Sequence, residues 1–292
     1  MEPAEESSIE ALGLEESISA AAQILWDLDV NRLTPGDDYI INVQSGKKPY
    51  QTEDLADDPL FTEVDESAFR RPTYSTFIAL LDNYVSQTGE TEEVTPTEEA
   101  ENYAFLNAIM QTGPMQYCHK YCVANKEDIP SDPDEFIQLL YKIWFGLYKR
   151  SRGGGHDSSG FEHVFAGEIK NEKVSGFHNW IYFYLEEMQG NVNYKGYIKP
   201  RGRGSAETND DDHILTLQFE WYGVEKFVGT SFIGVSPEFE IALYTMCFLV
   251  GEEENIIEID TGADVFKLKN KTYTYANDKI GTSYVEALEH YD

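Results

Sequence analysis

Near Arg150 the chain changes texture, and that change limits the folds open to it more than any other feature. Before it, apolar residues recur at the three- and four-residue spacing that gives a helix one buried stripe. After it come Gly-rich loops and segments with the two-residue alternation of half-buried strands. This order predicts an α+β fold, with a mainly helical N-terminal half followed by a half of antiparallel sheets and helices. The expected divisions are an acidic extension over 1–9, a helical part over 10–140, an α+β part over 141–288 and a tail over 289–292.

Local signals set the expected elements. Ile18, Ala21, Ala22, Leu25 and Leu28 make the stripe of a helix within 15–29, which Pro35-Gly36 stops, and residues 43–72 read as a long loop with short turns. A second helix fits YSTFIALLDNYVSQ from Tyr74. Thr95-Pro96-Thr97-Glu98 supplies a cap, a first-position proline and a capping-box glutamate for a third. Asp132-Pro133-Asp134-Glu135 opens a fourth that runs to Arg150. Later, 213–221 and 226–235 read as a hairpin about Tyr222-Gly223, and Ser236 caps a helix. Residues 265–277 read as a hairpin turning near Lys269-Asn270.

At 292 residues with 41% hydrophobic and 13% aromatic content, the chain has enough apolar surface for a large core. No apolar run approaches a bilayer span. The formal charge of −31 should repel polyanions on average. The charge is uneven, however: residues 142–203 hold ten bases against six acids, the one stretch where a polyanion could dock. The N-terminus lacks the marks of a signal or transit peptide, so a cytoplasmic or nuclear location is the expectation. Cys118, Cys122 and Cys247 do not form a disulfide framework, and Cys118-His119-x-x-Cys122 lacks an evident fourth zinc ligand, so packed thiols are expected.

Chemistry concentrates around two of six histidines. His163 follows the Gly-dense run Gly153-Gly154-Gly155-His156-Asp157-Ser158-Ser159-Gly160, and His178 follows Gly176-Phe177. Glycines let a backbone approach a ligand, and two imidazoles can supply one proton donor and one acceptor near neutrality. With Lys226 they make the set that RNA cleavage by internal attack of a ribose 2′-hydroxyl requires, because one proton leaves, another arrives and charge builds on phosphorus.

The strings SSGFEHVFAGE, VSGFHNW, KFVGTSFIGVSPEFEIALYT and KIGTSY, with PTYSTFIALLDNY earlier, resemble the EndoU (XendoU-type) family of uridylate-preferring endoribonucleases over about residues 10–288. The catalytic part of that family is also similar to the coronavirus endoribonuclease. The resemblance implies His178 as general base, His163 as general acid and Lys226 as the group holding the phosphorane charge. The products implied are a 2′,3′-cyclic phosphate and a 5′-hydroxyl, as for an RNA lyase. It implies Thr230 or Ser231 as the uracil reader, and Thr282 and Tyr284 as further substrate contacts, with Tyr284 as an aromatic platform. Glu162 and Glu168, flanking His163, read as orienting or structural carboxylates, and Gly176 reads as a further supporting residue.

The resemblance also implies a divalent cation, Mn2+ or Ca2+, with its ligands unassigned. Asp210-Asp211-Asp212 and Glu252-Glu253-Glu254 offer hard oxygens but lack EF-hand spacing. The partner expected is single-stranded, uridine-containing RNA, with no membrane and a monomeric enzyme. Two alternatives stay open: an RNA-binding module without turnover, and a metal-centred hydrolase using the histidines and acids as ligands.

Overall fold

The computed structural model describes residues 13–14, 16–88, 92–150, 155–199 and 208–291. The acidic extension over 1–9, the glycines 153 and 154, the bases Arg152, Arg201 and Arg203, and the final residue of the tail lie outside the described residues.

Helix α1 (Ile18–Leu28) is capped by Ser17, whose hydroxyl accepts from Ala20 N at 3.2 Å, and it buries Ala21, Ala22, Leu25 and Trp26. The stretch read as loop holds more order than the sequence suggested. Strand β1 (Tyr39–Ile41) precedes β2 (Gly46–Lys47), and β1 pairs antiparallel with β3 (Phe61–Val64). These strands are only two to four residues long, too short for alternation to stand out. Helix α2 (Pro72–Ala79) starts on its proline and gives way to a tight turn at Leu81–Asn83, well before Gln87. Leu80 and Leu81 are both buried there.

The capping box of α3 (Pro96–Ile109) is as read: Thr95 Oγ1 accepts from Glu98 N at 3.3 Å, and Glu98 Oε2 accepts from Thr95 N at 2.7 Å. Helix α4 (Gly113–Asn125) carries Cys118 and Cys122, which with Cys247 are free and buried. His119 turns away from them, with Nε2 2.7 Å from Pro130 O and its ring stacked on Phe136. Helix α5 (Pro133–Trp144) ends six residues before Arg150 because Tyr148 leaves to make a backbone bridge with Ser158.

Beyond it, β4 (Glu168–Lys170) and β5 (Lys173–Ser175) form a small hairpin, followed by α6 (Trp180–Met188). Strands β6 (Val192–Ile198), β7 (Ile214–Trp221) and β8 (Val224–Phe232) run antiparallel, and β2 from the N-terminal half adds in parallel to β6. The approach is close at Gly46, where a Cβ would lie 2.3 Å from the ring of Tyr197 and the ring would have to move. Tyr222 and Gly223 both take positive φ in the tight turn between β7 and β8, as the sequence suggested.

Helix α7 (Pro237–Val250) is almost wholly buried, so its apolar residues surround it rather than making a stripe. A second antiparallel sheet holds β9 (Glu254–Asp260), β10 (Val265–Tyr275) and β11 (Lys279–Tyr291) in the order β11-β10-β9. Here the expected turn at Lys269-Asn270 is wrong. Strand β10 runs straight through it, and Asn270 is buried, donating to Ser283 Oγ at 3.2 Å and Tyr284 O at 3.3 Å. The turn falls instead at Ala276 and Asn277, both at positive φ.

The hydrophobic core is unbroken from Ala21 to Val285. The fold is α+β, and among the described residues no helix is long and apolar enough to cross a membrane.

Candidate active site

His163 sits on a single π-helical turn, Glu162–Ala166, closed by a Gly167 N to Glu162 O hydrogen bond of 2.7 Å. Such wide turns are costly within ordinary helices and recur where a side chain must be aimed. The chain then returns through β4 and β5 so that Phe177 N donates to His163 O at 3.2 Å and His178 N to Val164 O at 2.9 Å. Gly176 and Phe177 both have positive φ, +66° and +63°. Phe177 holds this conformation inside a cluster of Tyr182, Phe219 and Trp221 rings.

Lys226 closes the group, its Nζ donating to Gly176 O. Two histidines and the lysine, 63 residues apart in sequence from first to last, therefore meet through the backbone of one turn.

Each member is buried, at 5%, 7% and 6% exposure for His163, His178 and Lys226, and burial dominates their electrostatics. It pushes the Lys226 ammonium down to about 8, so the side chain is still mainly cationic at pH 7. Among the described residues no carboxylate forms a salt bridge with it. A buried cation without a counter-ion is costly, and a bound anion would remove that cost.

The two imidazoles are wired differently. His178 Nδ1 lies 3.0 Å from Thr230 O, which can only accept, so Nδ1 carries the proton. Its ring stacks on Tyr284, with centroids 5.0 Å apart and planes within 9°. Burial first and then Lys226 hold His178 well below the usual histidine range. His163 Nδ1 faces Glu168 Oε2 at 2.6 Å. Burial lowers this histidine too, but the carboxylate opposes the shift. Burial works against ionisation of Glu168, yet the His163 hydrogen bond and Arg150 outweigh it and keep the carboxyl below its ordinary value. Among the described residues neither Nε2 atom has a protein hydrogen bond.

The remaining expected residues fall in distinct places. Thr230 lies on β8 with its hydroxyl 3.0 Å from Thr216 Oγ1. Both line a cavity of about 250 Å³, together with Val228 and Glu286, whereas Ser231 does not line it. The strand register thus separates two hydroxyls that the sequence left equivalent. Thr282 and Tyr284 are half-buried on β11, and one face of Tyr284 is already covered by His178.

Glu162 points away from His163: its Oε2 accepts from Ser159 N at 3.3 Å, and burial with nearby Glu92 pushes its pKa well up. Of the two carboxylates, only Glu168 contacts the histidine. Gly176 is required, because a Cβ there would lie 1.6 Å from His163 O.

Sequence reasoning counted Arg150 only as a base. Its Nε stands 3.6 Å from Glu168 Oε2, and its Nη2 donates to Tyr148 Oη at 3.0 Å and to Gly281 O, tying Glu168 to the start of β11. Its charge was the only signal available for this role, since Glu168 and Gly281 are distant in sequence.

The basic window is also less free than its count implies. Lys142 pairs with Asp278 at 2.8 Å, and Lys195 lies 3.0 Å from both Glu220 and Glu225.

The acidic runs are not cation sites as wholes. Glu254 pairs with Lys269 and Lys271, and Asp210 Oδ1 accepts from Val43 N. Among the described residues, one group of three or more His, Cys, Asp or Glu donors lies within mutual reach of an ion: Asp212, Asp264 and His290.

The pairing of His163 with Glu168 supports a pH prediction. Glu168→Gln removes the charge that raises His163, so the protonated form is lost at lower pH. The alkaline limb of the kcat/KM profile for RNA cleavage should move toward acid, with roughly tenfold or greater loss at pH 7.5. An unmoved limb would show that Glu168 does not govern this proton.

The chain matches the family described as endoribonuclease XendoU over residues 17–285. It is 45% identical to uridylate-specific endoribonuclease B of Danio rerio, covering 91% of this chain and 94% of that protein. It is 48% identical to the poly(U)-specific endoribonuclease of Xenopus tropicalis, covering 85% of this chain and 86% of that protein. The solved structure of XendoU, described as a splicing-independent snoRNA-processing endoribonuclease, superposes with a TM-score of 0.81 at 42% identity, covering 96% of this chain and all of that one. With an α+β fold and two imidazoles and an ammonium meeting at one turn, this chain belongs to the XendoU family of endoribonucleases.

Proposed function

We propose that the chain is an endoribonuclease that cleaves single-stranded RNA at uridylates, by attack of the ribose 2′-hydroxyl on the adjacent phosphorus. The observation that carries this reading is a buried ammonium without a counter-ion, Lys226, placed with two imidazoles whose Nε2 atoms are uncommitted.

The wiring supports a division of roles. His178 is neutral and holds its proton at Nδ1 against Thr230 O, so Nε2 carries the lone pair that takes the 2′-hydroxyl proton. His163 has Glu168 behind it, which favours the imidazolium, and delivers a proton from Nε2 to the departing 5′-oxygen. Lys226 stands against the negative charge that grows on the phosphorane oxygens. One P–O bond forms to the 2′-oxygen and one breaks to the 5′-oxygen, leaving a 2′,3′-cyclic phosphate and a 5′-hydroxyl. Thr230, facing the cavity, reads the uracil edge, because a hydroxyl can donate to a carbonyl and accept from an imide N–H.

A divalent cation, Mn2+ or Ca2+, belongs to the same proposal. When bound, it adds positive charge to a chain of formal charge −31 and so lessens repulsion of RNA. The mixed carboxylate and imidazole donors of Asp212, Asp264 and His290 fit Mn2+ better than Ca2+, which takes oxygen ligands.

The test is end-group analysis of a single-uridine oligonucleotide cut by the wild type and by Thr230→Val. The wild type should leave a cyclic phosphate 3′ of uridine, and Thr230→Val should lose discrimination between uridine and cytidine by roughly tenfold or more. A linear phosphate as the first product would overturn transesterification and favour a metal-centred hydrolase. Saturable RNA binding without product would favour the binding module.

A further inference from the structure

The cavity beside Thr230 has a second wall that the cleavage chemistry does not use. It carries Asp212, just ahead of β7, and His290, near the end of β11. Asp264, in the turn before β10, completes a cluster whose ligand atoms all lie within 4.8 Å of one another. His290 Nε2 is 3.1 Å from Asp264 Oδ1 and 3.8 Å from Asp212 Oδ1. The imidazole is fixed by stacking on Phe266, with centroids 4.3 Å apart and planes within 14°.

Asp212 is 1% exposed. Its Oδ2 accepts from Asn209 N at 3.2 Å, but its Oδ1, aimed into the cluster, has no hydrogen-bond partner among the described residues. A buried carboxylate oxygen seldom goes unsatisfied without a reason. His290 cannot satisfy it while directing the same nitrogen at Asp264 at the shorter distance. A cation between the three groups would satisfy both carboxylates and the imidazole together.

We propose that Asp212, Asp264 and His290 bind a divalent first-row transition ion, for which Mn2+ is the probe. A nitrogen donor beside two carboxylates selects such an ion over Ca2+, and Zn2+ should bind more tightly than Mn2+. The three protein ligands leave coordination positions open for water on the cavity side. The ion joins the approach to β7, the β9–β10 turn and the last strand, so it is a brace for the wall opposite Thr216 and Thr230. The site rests on the expectation of a divalent ion and not on RNA cleavage, since occupancy is read without RNA. Failure of binding and failure of the nuclease reading are therefore separate results.

The experiment is Mn2+ titration of the full chain followed by electron paramagnetic resonance, with pulsed detection of nitrogen coupling. The wild type should show one site tighter than the diffuse binding of an acidic surface, and its bound Mn2+ should carry a directly coordinated nitrogen. Asp264→Asn should weaken that site by about tenfold or more. His290→Gln should abolish the nitrogen coupling, with the far-ultraviolet circular dichroism of both variants unchanged. Zn2+ should displace the ion at lower concentration than Ca2+. The proposal is overturned if Asp264→Asn and His290→Gln bind Mn2+ as the wild type does, if the bound ion sees only oxygen, or if Ca2+ displaces it as readily as Zn2+. Should His290→Gln fail to fold, Asp264→Asn decides the matter, because Asp264 lies in a turn with its side chain 14% exposed.

Discussion

Replacement of His178 by alanine should lower kcat/KM on a uridine-containing oligonucleotide by roughly 10²–10⁴-fold, the usual contribution of a positioned proton acceptor. The structure gives reasons for an effect at the upper end. His178 Nε2 is uncommitted, its Nδ1 proton is fixed on Thr230 O, and its ring is held flat against Tyr284. Because burial and Lys226 keep the imidazole neutral, nearly every molecule has the base in its working form at pH 7. Alanine would also leave the Thr230 carbonyl without its partner, at a stability cost of about 1–3 kcal/mol. Lost rate must therefore be separated from lost fold. Added imidazole can enter the space left by the side chain, and partial recovery of cleavage would mark a missing base in an intact site. Cleavage within threefold of the wild type would remove His178 from the mechanism.

The same site shows which parts of the molecule its sequence could disclose. Capping at Thr95, Asp132 and Ser236 was legible because each cap and its partner lie within three residues. The β7–β8 turn was legible because Gly223 suits positive φ and the segments on either side alternate as strands, although Tyr222 is also held at positive φ. Strand β9 was hidden under a reading of acidic charge, although Asn255, Ile257 and Ile259 are buried at alternate positions. Asn270 misled in the opposite way. Asparagine favours turns when its side chain has only local partners, but here it bonds across to β11.

For the candidate catalytic residues, a family resemblance pointed to His163, His178 and Lys226, and the fold brings all three together. What no local pattern carried was the supporting wiring. The contacts of Arg150 with Glu168 and Gly281, and those of Asp212 with Asp264 and His290, join residues that only tertiary structure makes neighbours.

Gly176→Ala should have the largest effect of any single methyl group added to the chain. Two costs meet at this position. The backbone sits at φ +66°, where a Cβ is strained by about 1–3 kcal/mol. The added carbon would also lie 1.6 Å from the His163 carbonyl oxygen, a backbone atom that cannot rotate aside. Relief requires the turn to move, and its movement shifts three groups at once. His163 O accepts from Phe177 N, His178 follows directly, and Gly176 O is the acceptor for Lys226.

A matched control separates the two costs. Gly190 has φ +77° and nothing within 4 Å of an added Cβ, so Gly190→Ala meets backbone strain alone. Denaturant unfolding should show Gly190→Ala destabilised by about 1 kcal/mol with cleavage intact. Gly176→Ala should lose about 3 kcal/mol or more, with cleavage reduced at least as far as in His178→Ala. If the two variants were equally mild and both cut RNA at the wild-type rate, the turn at Gly176 would not be what holds the two imidazoles and the ammonium in register.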